Sequence, residues 1–280
     1  MNETGPQNDI GPAPTLDELR QRIDNIDETI HRQLIERSEI VEALIAVKRT
    51  DKPGAAFRPG REVDMMRRLV GRHRGILPIT TVEHLWREII ATFTHMQAPY
   101  EVVVAPGAEL RDVARFYFGF TVDFSEGSDV EAVKAKVKAG NGSVLGVVSP
   151  DALDVGAWWR DLSKDGVQVI SRLPVIAQAG RPVETDAFVL SMPLMDTSVP
   201  DMRLIALSAE GKDEAEKAIT DIGGVVFAEA IEADRHEILA AMPFSVADVE
   251  IESLSKVEGA DIILHGEVGG YWAPIFLPSA

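Results

Sequence analysis

Residues 15–49, TLDELRQRIDNIDETIHRQLIERSEIVEALIAVKR, decide the reading of this chain: they hold neither proline nor glycine and repeat their apolar positions at helical spacing. Leu16, Leu19, Ile23, Ile26 and Ile30 step by three and four, the pattern of one apolar stripe along an α-helix. Thr15 and Glu18 have capping-box spacing at its start, and Pro53 with Gly54 closes it after Lys52. Continuing the count lands on Gln33, Arg37, Ile40, Leu44 and Val47, so Arg37 stands where the stripe calls for a hydrophobe. A cation there is costly unless paired; Arg37 therefore either fixes the register of packed helices or meets an anionic ligand.

Two shorter helices follow. One runs from about Arg61 to Arg72 behind the loop Arg58-Pro59-Gly60. The other starts at a second capping-box pair, Thr80 and Glu83, and carries Val82, Leu85, Trp86, Ile89, Ile90, Phe93 and Met96. A first helix about 50 Å long, at about 1.5 Å per residue, cannot be covered by two short partners, so a dimer pairing the long helices is expected. Arg37 and Lys48 are eleven residues apart and point the same way, about 16 Å apart along the axis. Arg20 lies about 25 Å from Arg37, too far to share a pocket within one subunit but able to serve a neighbour's in an antiparallel pair. Gln97 follows Trp86, Ile90 and Phe93 at helical spacing and sets a neutral amide on an apolar face. Two cations, an amide and a borrowed arginine suit an apolar pocket for a small molecule rich in carboxylates.

The rest of the composition narrows the field. The 280 residues have room for two or three domains, include no cysteine, and carry a net charge of −17. The charge is uneven: residues 1–97 hold 14 basic and 15 acidic side chains, the remainder 14 and 30. Such acidity argues against nucleic acid as a partner. Residues 1–14, rich in glycine and proline, read as a disordered tail without the basic start and apolar core of a signal peptide. No apolar run nears the roughly 20 residues of a membrane helix, so a cytoplasmic protein without membrane contact is expected. The six histidines are scattered and none has metal-ligand spacing.

Leu19-Arg20-x-x-Ile23-Asp24-x-x-Asp27, Glu36-Arg37, Lys48, Arg61-Glu62, Ile89-Ile90 and Gln97 together resemble the all-helical chorismate mutases, over about residues 15–98. The resemblance implies an intertwined dimer of three-helix subunits that converts chorismate to prephenate by a Claisen rearrangement, with no cofactor. It implies that Arg37, and Arg20 from the partner subunit, clamp the two carboxylates, with Arg61 reinforcing that end. It assigns Lys48 and Gln97 as donors to the ether oxygen and Glu62 as the seat of the ring hydroxyl. Arg58, where many members carry Asp, is counted among the substrate-binding residues, and Phe93 stands where a small polar residue often precedes the glutamine by four. A pericyclic reaction needs no nucleophile, only a held conformer and stabilised charge on the breaking bond, which suits these residue types. A neutral Gln97 donates without acid, so activity should persist at neutral pH.

Residues 99–195 read as a partial open α/β domain: strands at 101–105 and 144–148, helices at 110–118 and 130–138. Val102-Val103-Val104-Ala105-Pro106-Gly107, Ala114-Arg115-Phe116-Tyr117-Phe118-Gly119 and Gly146-Val147-Val148 resemble prephenate dehydratase, commonly fused behind this type of mutase. The first-strand turn is shortened, Ser149-Pro150 stands where Pro-x-Glu-Asn is expected, and residues 185–189 lack an intact Thr-Arg-Phe. The expectation is a remnant without dehydratase activity. Residues 200–280 follow a βαββαβ order, the ferredoxin-like plait, and Gly266-Glu267-Val268-Gly269-Gly270-Tyr271-Trp272 resembles the closing stretch of an ACT domain. That resemblance implies phenylalanine or tyrosine as an effector, or a purely dimerising role. Two other functions stay open: a non-catalytic protein that senses chorismate or regulates a partner mutase, and an isochorismate-pyruvate lyase on the same helical fold.

Overall fold

A computed structural model describes residues 13–48, 57–152, 156–195 and 198–278. The chain divides into two compact units, residues 1–49 and 50–280. The expected tail falls almost wholly outside the described residues, as does the helix stop at Pro53 and Gly54.

The first unit is helix α1 (Leu16–Lys48). Its capping box forms as the sequence predicts. The Glu18 backbone N–H donates to Thr15 Oγ1 at 3.3 Å, and the Thr15 N–H donates to Glu18 Oε2 at 2.8 Å. These bonds hold the Glu18 carboxyl below its usual range. The apolar stripe is largely bare: Ile23 and Ile26 are each 58% exposed and Ile30 54%. No described helix is long and apolar enough to cross a membrane.

The second unit begins with α2 (Pro59–Arg72) and α3 (Ile79–Gln97). Proline at the first helical position of α2 suits a place where no N–H is needed. The expected capping box of Thr80 and Glu83 is not formed. Pro78 stands at the N-cap of α3, and the Glu83 carboxylate is turned inward to Arg181. Val63, Met66 and Leu69 of α2 and Val82, Ile90 and Ala91 of α3 join one continuous core with the strands that follow, so these two helices fold with the sheet.

That sheet has nine strands. Its α/β part comprises β1 (Glu101–Val104), β2 (Asp123–Glu126), β3 (Val144–Val148), β4 (Gln168–Leu173) and β6 (Ala187–Ser191). Helices α4 (Ala108–Phe118) and α5 (Val130–Ala139) supply the crossovers, and α3 packs on α4. Asp129 caps α5, its carboxylate accepting from the Ala132 N–H at 2.7 Å. The plait comprises β7 (Met202–Ala209), α6 (Lys212–Asp221), β8 (Val225–Glu232), β9 (Arg235–Pro243), α7 (Asp248–Ser253) and β10 (Ile263–Tyr271). The order across the sheet is β2-β1-β3-β6-β4-β10-β7-β9-β8, and β5 (Ile176–Ala177) pairs separately with β11 (Ile275–Phe276).

The run β10-β7-β9-β8, antiparallel throughout, is the ferredoxin-like strand order. The α/β layer and the plait, expected as separate regions, share hydrogen-bonded strands: β10 joins β4 in parallel through Gly269 and Val169. Glycine makes that join possible, since a Cβ at Gly269 would lie 2.1 Å from the Val169 carbonyl oxygen. Strands β2, β4, β5 and β6 were not among the expected elements.

Candidate functional site

On α1, Arg20 is exposed and pairs with Asp17 at 3.5 Å, one turn back on the same helix. Arg37 is half-buried, and Lys48 is the last residue of the helix. In the second unit, Arg58 holds the N-cap position of α2, Arg61 is exposed beside it, and Glu62 is half-buried in the first turn. Gln97 ends α3 and donates its side-chain amide to the Phe93 carbonyl at 2.9 Å. Arg20, Glu62 and Gln97 thus bond to Asp17, Arg87 and Phe93, none of which was an expected site residue.

The polar centre of the second unit lies where α2, α3 and α4 meet. Arg87 Nη1 donates to Glu62 Oε2 at 2.8 Å and Arg87 Nε to the Tyr117 carbonyl at 3.3 Å. The guanidinium also lies 4.0 Å from the centroid of the Tyr117 ring. Four residues earlier on the same face of α3, Glu83 meets Arg181 at 3.0 Å, and Arg181 also donates to the Ile176 carbonyl. Burial pushes the Glu83 carboxyl up, against the opposing pull of Arg181 and Arg87. Burial likewise pushes the phenols of Tyr100 and Tyr117 above their usual range.

Glu62, Arg87 and Tyr117 border a cavity of about 30 Å³ whose other walls include Phe118, Leu145 and Val189. That volume is far below the roughly 300 Å³ of a small-molecule pocket, so no whole substrate is enclosed behind these three side chains. Sequence reasoning missed Arg87 as a buried residue and read Glu83 only as a cap, because both lie off the stripe of Val82, Trp86, Ile89 and Phe93. Arg181 offered no local signal either, since its partner lies 98 residues away.

The helical stretch that carries these residues matches a known family. Residues 19–98 match the model of the chorismate mutase type II family. Two curated relatives carry the same description, bifunctional chorismate mutase/prephenate dehydratase. That of Neisseria gonorrhoeae is 37% identical over 94 residues, covering 32% of this chain and 25% of the relative. That of Stutzerimonas stutzeri is 28% identical over 137 residues, covering 47% and 38%. The chain therefore spans well under half the length of the curated relatives it matches.

Among solved structures, prephenate dehydratase from Streptococcus mutans aligns with a TM-score of 0.40 at 13% identity, covering 63% of this chain and all of that one. GqqA, described as a novel type of quorum quenching acylase, aligns at 0.41 and 10% identity, covering 62% and 95%. Scores this low carry no argument about activity. The chorismate mutase match covers α1 to α3, the segment that holds all seven expected site residues.

Proposed function

We propose that this chain is a chorismate mutase that works as a homodimer and lacks prephenate dehydratase activity. The observation that carries the reading is the family match over residues 19–98, which spans all seven expected residues and begins one residue before Arg20. The exposed stripe of α1 supports a dimer, because a capped 33-residue helix with bare isoleucines needs a second apolar surface.

In this reading Arg37 and the partner subunit's Arg20 hold the substrate carboxylates, Arg61 reinforces that end from its edge, and Arg58 stands at the hydroxyl end. Lys48 and Gln97 donate to the ether oxygen as the C–O bond breaks, and Glu62 receives the ring hydroxyl. Binding selects the compact conformer in which the two carbon termini approach, which supplies the orientational part of the rate. The two donors stabilise the charge that develops on oxygen, an interaction stronger in the transition state than in the ground state. No proton transfer and no cofactor enter.

Residues 99–195 are read as a dehydratase remnant and 200–280 as an ACT-like plait, a candidate for phenylalanine or tyrosine binding. The deciding assay follows chorismate and isochorismate side by side, with and without the two amino acids. Chorismate is expected to disappear and prephenate to accumulate. Arg37→Ala and Lys48→Ala should each lower kcat/KM by about 100-fold or more, the usual loss of one transition-state donor. Wild-type protein that binds chorismate without consuming it would favour the sensing function instead, and pyruvate release from isochorismate would favour the lyase.

A further inference from the structure

We propose that Arg87 is a positioning residue for Glu62, and that through it helix α4 sets the orientation of a carboxylate that receives substrate. The inference rests on the mutase reading above and deepens it by naming a residue that the resemblance does not assign.

The two partners differ in what they can reach. The Glu62 side chain keeps 21% of its surface exposed and the Arg87 side chain 4%, so a solute can touch the carboxylate but not the guanidinium behind it. Arg87 is itself held from two further directions. Its Nε donates to the Tyr117 carbonyl at 3.3 Å, and its guanidinium is seated 4.0 Å from the ring centroid of the same residue. Tyr117 lies in the last turn of α4 and is buried. A flat cation anchored on three sides fixes the Glu62 oxygen it holds.

The consequence for binding is specific. A glutamate on the first turn of a helix has several rotamers open to it, and ordering them on binding lowers affinity. With Oε2 bonded at 2.8 Å to a buried donor, that ordering is complete before substrate arrives, and the second oxygen keeps the lone pairs that a ring hydroxyl requires. Arg87 thereby connects the α/β layer to an expected residue of the mutase region.

The test uses the full chain and four variants: Arg87→Met, Arg87→Lys, Glu62→Ala and the double Arg87→Met/Glu62→Ala. Steady-state kinetics on chorismate are run well below each variant's melting temperature. A hydroxyl contact made equally in ground and transition states appears in KM, so Arg87→Met is expected to raise KM on the order of tenfold with kcat little changed. Arg87→Lys, which restores the charge without the planar fork, should recover part of the loss. The double variant should be no worse than Glu62→Ala alone, because Arg87 acts only through that carboxylate. Losses that multiply in the double variant, or an Arg87→Lys protein that melts lower with unchanged KM, would overturn the proposal. A wild-type protein without turnover would overturn the mutase reading and this inference together, and is distinguishable because it appears before any substitution.

Discussion

The guanidinium of Arg181 meets the carboxylate of Glu83 at 3.0 Å with 2% and 0% of their side-chain surfaces exposed. A loop before β6 and the second turn of α3 are thus joined by an ion pair out of reach of water. Removing one partner leaves the other charge buried and uncompensated, so Arg181→Met should cost about 3–5 kcal/mol. Replacing both, as Arg181→Met with Glu83→Leu, should recover much of that loss. Guanidinium unfolding midpoints measure the difference, and a double variant as unstable as the single one would contradict the account.

The glycines of β10 separate backbone strain from collision. Gly266 (φ +123°) has open space where a Cβ would stand, whereas Gly269 (φ +128°) faces the Val169 backbone. Gly266→Ala should cost about 1–3 kcal/mol, the range for a conformation that side chains resist. Gly269→Ala adds a clash with backbone that cannot rotate away, and its cost should exceed about 4 kcal/mol. Equal melting temperatures for the two variants would show that β10 and β4 do not approach as described.

Acid should weaken the contact between β1 and α5. Burial disfavours ionisation of Glu101, but bonds from Lys136 and Ser125 outweigh it and hold the carboxyl below its ordinary range. A depressed carboxyl contributes stability that is present above its unfolded pKa, about 4.3, and is lost as pH falls through the folded value. Urea midpoints of the wild type and Glu101→Gln should therefore differ at pH 6, by under about 1 kcal/mol for so superficial a pair, and converge in stronger acid. A gap that widens on acidification would reverse the assigned sign.

Helix α1 offers the test of assembly. Ile26 sits mid-stripe and 58% exposed, so Ile26→Asp should leave the isolated helix intact while abolishing any partner surface. Light scattering is expected to give a dimer for the wild type and a monomer for the variant, with turnover lost alongside. A wild-type monomer that turns over chorismate would remove the borrowed Arg20 from the mechanism.

Local signals carried far in this chain, and long-range ones did not. The extent of α1 follows from Thr15, Glu18 and an unbroken apolar repeat, and the plait order follows because each of its elements is punctuated nearby, as by Gly211 before α6 and Gly223-Gly224 after it. β2 escaped notice because DFSE is polar and lies at the sheet edge, and β4 because Ser171 and Arg172 interrupt its apolar run. That α2 and α3 fold with the sheet was not legible, since it depends on Val63 and Ile90 meeting a core assembled from more distant strands. In the site, Arg37 was found by its place on a stripe. The same test does not raise Arg87 or Glu83, which lie off the stripe of Val82, Trp86, Ile89 and Phe93 and are buried through contacts distant in sequence, Tyr117 and Arg181.

The single strand join between Gly269 and Val169 bears on how this chain can be shortened. A truncation ending before β7 would strip β4 of its neighbour and uncover Val169 and Ile170, both now buried. An open, apolar strand margin recruits other chains, so such fragments should precipitate whatever their catalytic competence. The plait therefore acts as a guard on the sheet, a duty it performs whether or not it ever binds an amino acid.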